Sequence, residues 1–135
     1  YMITSGCTAS TQYAYAEMLR LSTEGEINFV EDTREYAVRA ERMKRIFTDN
    51  GFHIVYDNDA TQRVGDGFFF TIGYGEMSGG ELLVELLYYG VSSISLSTTG
   101  SEQRGVRACT SRMREELYDV MQERMKAFKE DHPLN

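Results

Sequence analysis

The sequence predicts an α+β fold, a two-layer sandwich in which a mainly antiparallel sheet of about three or four strands is covered by helices on one face. Three observations carry this. Apolar residues recur at helical spacing in residues 29–47 and 113–128, and a leucine-rich helix with both end signals lies at 78–90. Short strand-like runs stand at 52–56, 68–74, 94–96 and 106–109. Their order is helix, helix, strand, strand, helix, strand, strand, helix, which brings strands together in pairs and favours antiparallel neighbours.

A chain of 135 residues that is 41% apolar, with 9 Tyr and 7 Phe, can fill one core. The net charge of −7, with no cluster of Lys and Arg clear of acidic residues, argues against a nucleic-acid partner. No apolar run approaches the roughly 20 residues that span a bilayer, so no membrane partner is expected. Tyr1-Met2-Ile3-Thr4 lacks the regions of a signal peptide, which makes the cytoplasm the expected compartment. Cys7 and Cys109 form no CxxC pattern and read as two buried or idle thiols rather than a disulfide. His53 and His132 make no metal-ligand spacing, and no metal is expected. A chain that opens on Tyr1 reads as a piece of a longer one.

Residues 1–8 form a short polar segment, after which Ser10 or Thr11 caps a helix over residues 12–21 with Tyr13, Ala16 and Arg20 near one face. That apolar face is thin, and so short a helix needs a packing partner. Residues 22–28 are linker-like. In the next helix Phe29, Tyr36, Ala40, Met43 and Phe47 make the apolar stripe. Glu31, Asp32, Arg34, Glu35, Arg39, Glu41, Arg42, Lys44 and Arg45 fill a solvated face, acidic residues leading and basic ones following as the helix dipole prefers. Asn50-Gly51 ends it.

The strands at 52–56 and 68–74 are expected to pair antiparallel across the connection 57–67. Asp57-Asn58-Asp59 begins like a calcium loop, but Gln62 stands where the turn glycine belongs and no Glu closes it, so it reads as a turn. Gly73-Tyr74-Gly75-Glu76-Met77-Ser78 lacks the third glycine of a dinucleotide fingerprint. Ser78-Gly79-Gly80-Glu81 is a capping box, and Gly90 stops the helix that follows it.

Function is expected in residues 88–110, where two strand-like runs flank a polar loop and the second carries an arginine. Ile94 and Leu96 alternate with Ser93, Ser95 and Ser97, a half-buried strand with its apolar pair inward. After the loop 98–104, Val106 and Ala108 face one way and Gly105, Arg107 and Cys109 the other, so Arg107 points off the core. Thr110 or Ser111 then caps a last helix to about residue 129 that buries Met113, Leu117, Val120 or Met121, Met125 and Phe128. Asp131-His132-Pro133 ends it.

In this order the chain resembles the C-terminal small domain of the fold-type I, pyridoxal-phosphate-dependent aminotransferases of class I and II. Tyr1 occupies the place of the tyrosine that follows that family's phosphate-binding arginine. Ser5-Gly6-Cys7-Thr8-Ala9-Ser10-Thr11-Gln12-Tyr13-Ala14 resembles the entry to its interdomain helix. Tyr36 with Gly51-Phe52, then Phe68-Phe69-Phe70, then Leu86-Leu87-Tyr88-Tyr89-Gly90-Val91 follow the small domain's successive motifs. Gly105-Val106-Arg107-Ala108 resembles the "aliphatic, Arg, aliphatic or small" strand whose arginine binds the substrate α-carboxylate. The loop before it departs from the family: Ser97-Thr98-Thr99-Gly100-Ser101 replaces a proline-glycine-x-x-phenylalanine signature.

The resemblance implies that residues 1–28 are a remnant of the large domain and interdomain helix, and that residues 29–135 are the small domain. Arg107 is the expected substrate-binding residue, because a planar guanidinium grips a carboxylate with two parallel hydrogen bonds; the alternative is a strand arginine satisfied by Glu102. Arg104 is expected to be structural. The cofactor, pyridoxal 5'-phosphate, would be held by a lysine, an aspartate and a phosphate cup upstream of Tyr1. No catalytic or cofactor-binding residue is expected in this chain, since Lys44, Lys126 and Lys129 lie on charged helix faces. The partners implied are amino-acid and 2-oxo-acid substrates and, for the full-length enzyme, a second copy in a homodimer; the chain alone would be inactive. Alternatives are a lyase or decarboxylase with the same cofactor and fold, or a non-catalytic α+β module that binds a ligand through residues 98–104.

Overall fold

The computed structural model describes residues 6–65 and 67–134. They fall in two compact units, Tyr1–Arg34 and Glu35–Asn135. Tyr1 and Ser5, which open the resemblance, lie outside the described residues.

In the first unit, α1 (Ala9–Thr23) starts a turn earlier than its sequence signals. Thr8 occupies the cap position without a side-chain bond, and the Gln12 amide donates to the Cys7 carbonyl instead, so Ser10 and Thr11 sit inside the helix. None of its residues is buried, which fits its thin apolar face. Arg20 binds both Glu17 and Glu24, and the first of these holds the Glu17 carboxyl below its usual range.

The helix α2 (Phe29–Asp49) starts behind Asn28, whose side-chain oxygen accepts from the Glu31 N–H at 3.1 Å. In the second unit Ala40, Met43 and Phe47 are buried as expected, with Ile46 beside them. Phe29 is exposed, and Tyr36 is half-buried with its ring edge-on to Phe68. Lys44 corrects the solvated-face expectation: it is buried, with its ammonium 5.7 Å from the centre of the Phe70 ring. One turn from Ala40 and Phe47, its long stem is covered where the helix meets the sheet. The truly solvated face carries the i,i+3 and i,i+4 pairs Glu31–Arg34, Glu35–Arg39 and Glu41–Arg45.

The chain continues through β1 (His53–Ile54), a small hairpin β2 (Asn58–Asp59) and β3 (Gln62–Arg63), then β4 (Phe69–Gly73), α3 (Gly79–Tyr88), β5 (Ile94–Ser95), β6 (Val106–Cys109) and α4 (Tyr118–Asp131). The sheet order is β1-β4-β6-β5, antiparallel throughout, and β2–β3 form a separate two-stranded ribbon within the connection 57–67. This is the two-layer α+β fold the sequence predicts. The helix side of the sheet presents Phe70, Ile72, Val106 and Ala108 to a core that includes Phe47 of α2, Leu82 and Leu86 of α3, and Tyr118, Met121, Met125 and Phe128 of α4.

The capping box forms as read. Ser78 Oγ accepts from the Glu81 N–H while Glu81 accepts from the Ser78 N–H at 2.8 Å. At the other end Gly90 takes φ +70°, and its N–H and that of Val91 donate to Leu87 and Leu86 carbonyls.

Two sequence expectations fail near the sheet's end. Ile94 is exposed and Ser95 buried, the reverse of the apolar-inward reading, and Leu96 is buried in a 3-10 turn (Leu96–Thr99) rather than in the strand. The register pairs Ser95 with the inward Val106, and α3 approaches there so closely that a Cβ on Gly79 would lie 2.5 Å from Ser95 Oγ and 2.3 Å from the Gly105 carbonyl oxygen. Only a small side chain fits inward.

The last helix also starts late, at Tyr118. Thr110 is fully buried and extends the sheet, its N–H donating to the Phe68 carbonyl at 2.8 Å, so it does not cap a helix. A 3-10 turn (Glu115–Leu117) intervenes, leaving Leu117 exposed and Met113 half-buried, while Tyr118 takes the inward place beneath the Arg42 guanidinium at 3.8 Å.

Candidate functional site: the open face of the sheet

The side of the sheet turned away from the helices is built by the two-residue strand period. Because Val106 and Ala108 point into the core, Arg107 and Cys109 must point out, joined by Phe69 and Thr71 of β4 and Ile94 of β5. Arg107 pairs with Thr71 on one side and Ile94 on the other, and so stands mid-sheet rather than on an edge. Phe69, diagonal to it, lies under its guanidinium at 4.1 Å. Such stacking orients the plane and leaves its in-plane N–H fork unspent.

Among the described residues no carboxylate pairs with Arg107, and Glu102, the expected competitor, does not reach it. Arg104, expected to be structural, is held by Glu76, whose side chain and backbone carbonyl it meets at 2.6 and 3.0 Å. The same face carries His53 over Gly73, where a Cβ would lie 2.5 Å from its ring nitrogen. Val55 lies over Gly105, and the Tyr56 hydroxyl is hydrogen-bonded to Ser101 at 2.6 Å. The polar loop is thereby tied to the bend that follows β1. Neither Phe69 nor the Tyr56–Ser101 bond was singled out from sequence; the matching phase of Phe69 and Thr71 was the available signal for the first.

The thiol expectation holds in part. Cys7 and Cys109 are both free, but both are exposed rather than buried. Cys109 faces out beside Arg107 for the same phase reason, 3.2 Å from the Ser111 hydroxyl.

The residues present do not make a pyridoxal-phosphate site. Lys44 is buried on the helix side, Lys126 lies near Glu130, and Lys129 donates to the Asp49 carbonyl, so no lysine stands on the open face. Among the described residues no group of three or more His, Cys, Asp or Glu is arranged to hold a metal ion, and no helix is long and apolar enough to cross a membrane. No protein-family model and no curated protein sequence matches the chain.

Proposed function

We propose that the chain is the substrate-carboxylate-binding small domain of a pyridoxal-phosphate-dependent aminotransferase, and that Arg107 is the residue that grips the α-carboxylate. The observation that supports this is the placement of Arg107: mid-sheet, outward, stacked on Phe69 and without a carboxylate partner among the described residues. It offers two parallel N–H groups to a ligand carboxylate, a geometry that a lysine cannot reproduce. Fixing that carboxylate fixes the rest of a small amino acid against a reacting group. In this reading the cofactor and its lysine belong to a segment ahead of Tyr1, and the chain itself performs no bond-breaking step.

The test is steady-state transamination by the protein that contains this chain. Arg107→Ala is expected to leave folding and cofactor absorbance intact and to lower kcat/KM by roughly a hundredfold, about 3 kcal/mol of lost charged bidentate binding. Arg107→Lys recovers little. Arg104→Ala, which only frees Glu76, stays close to the parent. An Arg107→Ala protein with near-normal kcat/KM for amino acids, or a parent that uses amines lacking the carboxylate equally well, would overturn the assignment.

A further inference from the structure

The sheet's other side holds a second feature, which does not depend on the reading of Arg107. A cavity of about 430 Å³ opens between the sheet, the turn after α3 and the approach to α4. Its floor is apolar, built from Phe47, Ile72, Leu86 and Met121, all buried core residues. Its lining also includes three polar side chains that the fold does not use in the ordinary way.

The first is Ser93, whose Oγ is buried without a hydrogen-bond partner among the described residues. A hydroxyl out of water with nothing to bond costs free energy, and such groups in a folded protein require an explanation. The others are Arg112 and Arg124. Every other arginine except Arg107 holds a carboxylate, in a chain with net charge −7, yet among the described residues these two hold none. Arg124 uses one N–H on the Gly90 carbonyl at 3.1 Å and has the rest of its fork left over. Unpaired cations and an orphaned hydroxyl around an apolar floor are complementary to one kind of molecule.

We propose that this cavity is a binding site for a small amphipathic carboxylate, an aliphatic or aryl-alkyl acid of about ten heavy atoms. The volume is within the usual range for small-molecule sites, and at about 30 Å³ per heavy atom it holds roughly fourteen, so a ligand of about ten fits with room to spare. The tail lies on Leu86, Phe47 and Met121. The carboxylate takes N–H groups from Arg112 and Arg124 and, with a small shift of the wall that covers it, the Ser93 hydroxyl proton. Exposed Val120 and Leu117 also line the cavity and give the tail its way in.

Octanoate is the probe, with octan-1-ol and octylammonium as neutral and cationic controls, each titrated into the isotope-labelled chain by amide NMR. Octanoate is expected to give saturable shifts at Leu86, Ser93 and Met121, with affinity at least tenfold above octylammonium. The double variant Arg112→Gln with Arg124→Gln touches two exposed side chains and should weaken octanoate tenfold or more while leaving octan-1-ol unchanged. Ser93→Ala should weaken octanoate severalfold with no loss of thermal stability. The proposal fails if octanoate does not saturate, if octylammonium binds as well, or if the double variant binds octanoate like the parent. A Ser93→Ala chain that loses stability but keeps its affinity would likewise remove the hydroxyl from the site.

Discussion

Gly79 and Gly80 are adjacent in the first turn of α3, and alanine at the two positions should change stability in opposite directions. At Gly80 a Cβ would meet nothing within 4 Å, so Gly80→Ala gains helix propensity and reduces unfolded-chain freedom, a stabilisation of about 0.4–1 kcal/mol. At Gly79 it would lie 2.3 Å from the Gly105 carbonyl oxygen and 2.5 Å from Ser95 Oγ, so helix and sheet must separate by about 1 Å to reach ordinary contact. The carbonyl cannot yield freely, because it accepts the Leu96 N–H at 3.0 Å. Overpacking of this kind costs about 1–3 kcal/mol, and a weakened backbone bond adds about 0.5–1.5 kcal/mol. After subtracting the propensity gain, Gly79→Ala should be destabilised by about 0.5–4 kcal/mol. The two variants then differ by about 1–5 kcal/mol, or roughly 5 °C or more in Tm for a unit of this size. Thermal and urea unfolding followed by circular dichroism measures it. A Gly79→Ala chain as stable as Gly80→Ala would show that α3 does not sit on β5 and β6 as described.

Ser95→Val should cost about 1–3 kcal/mol by the same crowding, while Ile94→Ser on the open face stays within about 0.5 kcal/mol; equal urea midpoints for the two would restore the inverted strand phase. Glu81 is held below the usual carboxylate range by the Ser78 N–H and then its hydroxyl. Its contribution is therefore present above the ordinary value near 4.5 and lost as pH falls through the depressed one, so the stability gap between parent and Glu81→Gln should narrow on acidification, and a gap that widens would contradict it. The Tyr89 phenol, donating to Asp131, is pushed up to about 12 by that bond and then by burial. Its contribution is present below the ordinary value of about 10 and lost as pH rises through the raised one. The difference in phenolate absorbance between parent and Tyr89→Phe should have its midpoint near 12; a midpoint near ~10 would mean that the bond does not form.

The sequence disclosed those features that one strand or one helix decides alone. The alternation of Val106, Arg107 and Ala108 is a local signal, and the sheet kept it because both neighbouring strands register on it. The capping box at Ser78 and Glu81 closes within four residues and formed as written. What failed depended on a partner remote in the chain. Hydropathy places Ile94 inward, but the approach of Gly79 admits only the Ser95 side chain there. Lys44 reads as solvated until Phe70 covers it, and Thr110 reads as a helix cap until Phe68 supplies a strand partner. Within the open-face site, Arg107 was legible from its own strand. The stacking on Phe69, 38 residues earlier, was not, because only the β4–β6 register creates it, and neither was the bond between Tyr56 and Ser101, two residues outside the strands that meet through the tertiary fold.

Both outermost strands of the sheet, β1 and β5, are two residues long, and β5 turns at once into the 3-10 turn at Leu96–Thr99. A free strand edge is a template on which another chain can extend a ladder, and its hazard grows with length and flatness. Here each rim offers a strand from another molecule too few unpaired amides to hold it in register. Along these two edges a ladder shared between copies would be short, and contact there would rest on side chains rather than on backbone amides.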